Sequence, residues 1–155
     1  MARTVRVAAV QLNSGTEPGS NLDSIERKVN EATRRGARYV QTPEVSVVFA
    51  ENREGLARVA GPFEGNPAIA RLSQVARGAG VTLHLGSMAV ALPDGRFANR
   101  GLVFAPDGAL VAQYDKIHLF DASLDGLDPY RESQTYRGGD RAVVTEVAGM
   151  RLGLS

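Results

Sequence analysis

The 155-residue sequence contains no cysteine and only two histidines, His84 and His118. The first absence excludes disulfide bonds and thiolate metal sites within these residues. The two histidines are isolated from each other, and neither has a second histidine at a spacing that binds metal. The sequence therefore predicts no metal site, and it favours His84 as a satisfied core or interface histidine rather than a ligand.

Long apolar runs and excess charge are also missing. No stretch approaches the roughly 18 apolar residues of a membrane span, and no apolar signal segment follows Met1. The formal net charge of +1 gives no reason to expect nucleic acid or an anionic membrane as a partner. We expect one ordinary domain over residues 1–155 and, by default, a cytoplasmic location.

Lysine is scarce as well. Of the 18 basic residues only Lys28 and Lys116 are lysines. Arginine cannot release a proton at working pH, whereas a buried ammonium can, so Lys116 is a candidate for that property. It follows the alternating apolar run Leu110–Tyr114 at the end of a predicted strand, where α/β folds keep their chemistry. The competing interpretation is a solvated lysine at a strand end.

The first forty-four residues predict a βαβ unit. A short apolar run over Val5–Leu12 indicates a buried strand, a helical stripe runs over Asn21–Arg35, and Arg38–Thr42 indicates a second strand. This order is typical of parallel strands in an α/β fold. Glu44 falls just beyond the second strand, where a carboxylate is otherwise a loop residue or a helix cap.

The middle of the chain predicts two helices followed by strands. One helix covers Asn52–Val59, and a second begins at Pro67 after the cap Asn66 and ends at Gly78 or Gly80. The three strands that follow are joined by tight turns and predict antiparallel pairing: Val81–Val90, Asn99–Phe104 and Leu110–Ile117. Two more strands are predicted over Ala142–Val147 and Met150–Ser155. Residues 121–139 are predicted as a loop. A nucleotide-binding α/β domain would rest only on Gly78-Ala79-Gly80, which follows a helix rather than a strand.

Four segments in order resemble the nitrilase superfamily of carbon–nitrogen hydrolases, over essentially the whole chain. They are Val7-Ala8-Ala9-Val10-Gln11-Leu12, Thr42-Pro43-Glu44, Tyr114-Asp115-Lys116-Ile117-His118-Leu119-Phe120-Asp121 and Tyr130-Arg131-Glu132-Ser133, and Gly86-Ser87 and Asn99 fit the same pattern. The motif from Lys116 to Asp121 is similar to that of the Nit-like branch, which includes ω-amidases and deaminated glutathione amidases.

The resemblance implies a fold, a reaction and roles. The fold is an α-β-β-α sandwich, of which this chain holds the N-terminal part and lacks the C-terminal part. The reaction is hydrolysis of a small ω-amide carboxylic acid with release of ammonia, without metal or cofactor. Glu44 is implied as general base, Lys116 as oxyanion stabiliser and proton donor, and Glu132 as an auxiliary glutamate. Subunits of the family usually pair, so a homodimer is expected of the full-length protein.

The family nucleophile is a cysteine directly after a strand like Arg151-Leu152-Gly153-Leu154-Ser155. By alignment with this strand, the resemblance implies the cysteine as the first or second residue after Ser155. Family members are typically nearly twice this length. Ser155 itself aligns before the cysteine, so the 155-residue chain is predicted to have no amidase activity. The alternative is a catalytically inactive fragment that acts only by binding or by pairing with another chain.

Overall fold

A five-stranded mixed sheet organises the protein in a computed structural model that describes residues 4–50, 52–123 and 129–155. The strands are neighbours in chain order: β1 (Val7–Ala9), β2 (Tyr39–Gln41), β3 (Thr82–Ala91), β4 (Phe97–Phe104) and β5 (Leu110–Asp115). The pairs β1–β2 and β2–β3 are parallel, and β3–β4 and β4–β5 are antiparallel. The predicted βαβ unit and the antiparallel hairpins beside it are therefore confirmed.

Three helices connect the parallel strands: α1 (Pro18–Arg34), α2 (Arg53–Val59) and α3 (Pro67–Ala79). The predicted start of α1 at Asn21 is wrong, since Pro18 begins the helix with a φ suited to its first turn. Asn21 is buried and its amide instead binds the carbonyl oxygens of Gly15 and Val47, at 2.8 and 2.9 Å. Through Asn21, the helix binds the segment that precedes it and the segment that follows β2.

The cap residues of α3 act as predicted. The Asn66 side chain accepts a hydrogen bond from the Ala68 N–H at 3.0 Å, and Gly80 ends the helix in the left-handed conformation with φ 64°. Gly78 lies within the helix. The glycine pair thus lies at a helix C-terminus, which lacks the free N–H groups that cradle phosphate, and the nucleotide-binding alternative has no support.

The main core lies between the sheet and helices α1 and α3. Because side chains alternate across a strand, every second residue of β3 and β4 faces the helices. Ile25 of α1, Leu72 of α3 and Leu83 of β3 meet there with no exposed surface. Burying a side chain of this size contributes roughly 1.5–3 kcal/mol, so this layer supplies a large part of the fold's stability.

A β-hairpin covers part of the opposite face. Strands β8 (Val143–Val147) and β9 (Met150–Leu154) are joined at Ala148-Gly149, both with positive φ, as a two-residue hairpin turn requires. Val147 and Leu154 pack against Tyr39, Val103 and Tyr114 of the sheet. The described residues thus stack as a helical layer, a sheet and the beginning of a second β layer.

Residues 121–139 are not the plain loop that was predicted. Asp121–Ala122 (β6) pairs with Tyr130–Arg131 (β7), and a 3₁₀ turn follows over Glu132–Gln134. Residues 124–128 lie outside the described part of the chain. The short pairing folds this segment back towards the end of β5, and that return brings Glu132 to the sheet.

His84 is the satisfied core histidine that was predicted. It lies on β3, is 8% exposed, and its Nδ1 is 2.6 Å from the hydroxyl of Tyr39. Burial lowers the pKa of His84 and raises that of Tyr39 to about 12. Both groups are therefore kept neutral beneath the second β layer.

Candidate active site

Glu44 is carried by a turn that rests on an irregularity of β3. The register of β3 against β4 shifts between Leu85 and Met88, at Gly86-Ser87. Ser87 binds the turn through two hydrogen bonds. Its Oγ accepts from the Val45 N–H at 2.8 Å, and its carbonyl accepts from the Ser46 N–H at 2.9 Å. Such bulges re-aim side chains near functional sites, and this one holds the backbone on the C-terminal side of Glu44.

The turn approaches β3 so closely that only glycine fits opposite it. A Cβ on Gly86 would lie 2.5 Å from the Pro43 carbonyl carbon and closer still to the carbonyl oxygens of Thr42 and Pro43. Val45 has a φ of 54°, which a β-branched residue adopts only under constraint. Backbone strain of this kind accumulates where a structure must hold a residue in one place, and here that residue is Glu44.

Lys116 is the first residue after β5 and is held by its backbone on both sides. Its N–H donates to the Asn99 carbonyl, and its own carbonyl accepts from the Gly139 N–H, each at 2.9 Å. The ammonium Nζ lies 3.0 Å from Glu44 Oε1 and 2.9 Å from Glu132 Oε2. The alternative of a solvated strand-end lysine is therefore wrong, because the side chain is bound between two carboxylates.

Glu132 is the buried member of the cluster. Only 6% of it is exposed, and its Oε2 accepts the Phe120 N–H at 2.6 Å in addition to the Lys116 ammonium. A buried carboxylate is stable only when charge and hydrogen bonds compensate it. The N–H of Phe120 and the ammonium of Lys116 supply both, so Glu132 fixes where that ammonium lies.

The environment keeps Lys116 charged. Burial is the largest single influence on its pKa and lowers it, but the hydrogen bonds and charges of Glu132 and Glu44 together outweigh burial and raise the pKa above its ordinary value. A raised pKa opposes proton release. The interpretation that lysine was selected here to give up a proton is thus not supported, and a permanently charged group suits stabilisation of an anion.

Two cavities meet at the cluster and share Glu44, Asn99 and Lys116. The larger has a volume of about 490 Å³ and is lined by the exposed rings of Phe49, Phe120 and Tyr130, among other residues. Arg53 and Arg131 also line this cavity and bring positive charge to its wall. The smaller cavity, about 260 Å³, is lined on its far side by Ser155.

The three residues implied by the resemblance are therefore brought together. Glu44, Lys116 and Glu132 come from three different segments and form one ion cluster beside a cavity. Asn99, which fitted the pattern without a role, donates from Nδ2 to Glu44 Oε1 at 2.6 Å. Ser87 was noticed only as part of a motif, and the strain at Val45 has no signal in the sequence.

The match to known families agrees with this geometry. The model of the carbon–nitrogen hydrolase family matches residues 6–155. The chain belongs to this family. The resemblance to the nitrilase superfamily drawn from the sequence is thus confirmed.

Several relatives of this carbon–nitrogen hydrolase are named as amidases. It is 33% identical to the deaminated glutathione amidase of Yersinia enterocolitica, over 99% of this chain and 54% of that protein. It is 32% identical to the omega-amidase NIT2 of Homo sapiens, over 96% of this chain and 53% of that protein. The chain thus spans about half the length of the curated relatives it matches.

Solved structures support the fold. An amidase from a Nesterenkonia species superposes with a TM-score of 0.77 at 22% identity, covering 96% of this chain and 54% of that one. The NitFhit protein of Caenorhabditis elegans gives 0.77 at 21% identity, over 90% of this chain and 35% of that one. At this level of identity the likeness shows a shared nitrilase-type α/β fold.

The described residues show neither a metal site nor a membrane-spanning helix. Among them, no group of three or more histidine or acidic side chains is arranged to hold a metal ion. Within the same ranges, none of the helices of this carbon–nitrogen hydrolase has the length and apolar character that crossing a bilayer demands.

Proposed function

We propose that the protein is an amide hydrolase that acts on a small carboxylic acid carrying an ω-amide and releases ammonia. The observation that carries the proposal is the ammonium of Lys116, bound 3.0 Å from Glu44 and 2.9 Å from Glu132 at the mouth of a cavity. A fixed positive charge beside a partly exposed carboxylate is what acyl transfer needs: an oxyanion stabiliser and a base.

The nucleophile in this proposal is a cysteine that a longer form of the protein carries as the first or second residue after Ser155, since these 155 residues contain none. The position is chemically reasonable, because Ser155 lines the smaller cavity together with Glu44 and Lys116. A thiol becomes an effective nucleophile only when it loses its proton. Glu44 is the base in reach of that cavity.

The reaction then runs in two halves. Glu44 takes the thiol proton, the sulfur attacks the amide carbonyl carbon, and Lys116 stabilises the negative oxygen that forms. The carbon–nitrogen bond breaks, and the nitrogen leaves as ammonia with the proton that Glu44 returns. Water gives a proton to Glu44 and attacks the thioester, and the carboxylic acid leaves as the sulfur regains a proton. Glu132 keeps Lys116 charged and in place throughout.

Arg53 and Arg131 support the anionic part of the substrate proposal. A guanidinium matches a carboxylate in charge and in its forked geometry, and both side chains line the larger cavity. The aromatic rings around them offer apolar contact for the carbon chain of a short acid. A homodimer and a cytoplasmic location stay predictions.

The test begins with the intact mass of the protein from its native source, compared with the 16.5 kDa of this chain. A larger mass, with cysteine following Ser155, allows ammonia release to be assayed on monoamides of short dicarboxylic acids. We expect turnover from that form and none from the 155-residue chain. Lys116→Met in the longer form is expected to reduce kcat by about 10²–10³-fold, as loss of an oxyanion donor does.

Two outcomes would contradict the proposal. A longer form without cysteine at either of the first two positions after Ser155, or one that turns over equally well with Lys116→Met, would remove the mechanism. A native mass equal to that of the 155-residue chain would favour the alternative, a fragment that retains the cluster and functions only by binding or pairing.

A further inference from the structure

Buried Asn99 contacts every member of the charged cluster, two through its side-chain amide and the third through its backbone. Asn99 lies on β4 and is 3% exposed. Its Nδ2 lies 2.6 Å from Glu44 Oε1 and 3.4 Å from Glu132 Oε1, and its backbone carbonyl accepts the backbone N–H of Lys116 at 2.9 Å. One residue of the sheet interior therefore links the three residues of the cluster, which come from separate segments.

The orientation of this amide is dictated by its neighbours. Ionised carboxylates only accept hydrogen bonds, so the NH₂ group of Asn99 has to face Glu44 and Glu132. The oxygen then points into the protein, and among the residues described none donates to Asn99 Oδ1. A buried acceptor without a donor destabilises a fold, whereas an apolar side chain of the same shape would not. Stability alone does not explain an asparagine here.

Glu44 depends on this amide more than Glu132 does. The Glu44 side chain is 54% exposed, and the two side-chain donors described for it, Lys116 Nζ and Asn99 Nδ2, both bind the single oxygen Oε1. Glu132 is buried and has the Phe120 N–H as a further donor. Without Asn99, the Glu44 carboxylate would retain only one tether and could turn into solvent.

We propose that Asn99 is a positioning residue that holds the Glu44 carboxylate against the Lys116 ammonium at the expense of a buried unpaired oxygen. The inference rests on the proposed function, in which Glu44 is the base. Its test does not require turnover, because the position of the Glu44 carboxylate affects the pKa of Lys116.

The scarcity of lysine makes the test direct. The chain has two lysines, so labelling with ¹³C- and ¹⁵N-lysine gives two side-chain NMR signals. Lys28, whose side chain is 44% exposed and 3.7 Å from Glu31, is the internal reference. In Asn99→Leu we expect the pKa of Lys116 to fall towards its ordinary value, because Glu44 no longer adds to it while burial still lowers it. Asn99→Ala, which cannot overpack the site, has to shift it in the same direction.

A double-mutant cycle identifies the partner. In a Glu44→Gln background, Asn99→Leu is expected to leave the Lys116 titration where Glu44→Gln alone places it. Asn30→Leu, the same substitution on the exposed face of α1, is the control and should not move the signal. A Lys116 titration that is unchanged by both Asn99 variants, or shifted equally with and without Glu44, would overturn the proposal.

Activity then separates this inference from the proposed function. In a cysteine-bearing form, Asn99→Leu is expected to lower kcat between about 10- and 100-fold, as small misplacements of catalytic groups do, with KM nearly unchanged. No ammonia release from the unsubstituted form would refute the proposed function but leave the Lys116 titration to decide on Asn99. Full turnover by Asn99→Leu, together with an unchanged Lys116 titration, would refute the positioning role of Asn99 but not the proposed function.

Discussion

Substitution of Gly86 by alanine tests whether the close approach of the Glu44 turn to β3 is as rigid as the distances indicate. The added Cβ would lie 2.5 Å from the Pro43 carbonyl carbon, whereas ordinary contact begins at 3.4 Å. The turn would have to move by about 0.9 Å. The atoms in contact are backbone atoms, which cannot rotate away as a side chain can, and the next residues of the turn are hydrogen-bonded to Ser87. Gly86 itself lies outside the left-handed region, so the effect is purely steric.

Overpacking of this kind typically costs about 1–3 kcal/mol. For a chain of this length, 1 kcal/mol corresponds to roughly 2–4 °C in Tm, so Gly86→Ala is expected to lower Tm by about 2–12 °C in a thermal unfolding measurement. The displaced turn also moves Glu44 relative to Lys116. The Lys116 NMR signal should therefore shift together with the loss of stability.

The control is Gly78→Ala within α3, where an added Cβ meets nothing within 4 Å. This substitution is expected to raise the free energy of unfolding by about 0.5–1 kcal/mol, because alanine favours a helix more than glycine does. A Gly86→Ala protein with the Tm and the Lys116 signal of the unsubstituted chain would refute the account of how Glu44 is positioned.

Two further predictions concern strain and pH. Val45→Gly should raise the free energy of unfolding by up to about 1 kcal/mol, because it removes the left-handed penalty of a β-branched residue and adds only the entropy of glycine. Ala148→Gly, at φ 52° in the β8–β9 turn, is the matched control measured by urea unfolding, and a Val45→Gly protein less stable than the unsubstituted chain would contradict the strain assignment. The second prediction concerns alkaline pH. Burial raises the pKa of Tyr39 and Tyr136 from 10.0 to about 12, so the folded state retains these protons where the unfolded chain releases them. Their contribution to stability is complete below pH 10 and is lost as the pH rises to about 12, in the same direction as that of Lys116. We expect Tm to fall across this window and to fall less in Tyr39→Phe, and a Tm independent of pH there would contradict the prediction.

Much of the fold could be predicted because its helices and strands depend on patterns of residues that are close in the sequence. The helical stripe of α1 and the caps of α3 depend on residues a few positions apart, and both were found close to where the sequence places them. The start of α1 was placed at Asn21, three residues late, and nothing in the sequence indicated that the amide of Asn21 binds backbone far along the chain, at Val47. A local pattern cannot show that contact.

The candidate site also has parts that the sequence predicts and parts that it does not. Residue patterns alone left Glu44 as a loop carboxylate and Lys116 as a solvated lysine, and only the resemblance to a family joined them to Glu132. The hydrogen bond between Val45 and Ser87 spans 42 positions, and that between Asn99 and Glu44 spans 55. These contacts depend on the register and bulge of the sheet, which hydrophobic periodicity does not encode.

The order of the strands in the sheet has a consequence for how the protein is made. Since β1 to β5 are spatial neighbours in the order of synthesis, each strand can add to the sheet as it leaves the ribosome. Lys116 reaches Glu44, 72 positions earlier, as soon as β5 is in place, but its buried partner Glu132 is translated 16 residues later. A nascent chain thus places the five strands of its sheet before it completes the cluster of Glu44, Lys116 and Glu132, and the β8–β9 hairpin that packs on the opposite face is translated last.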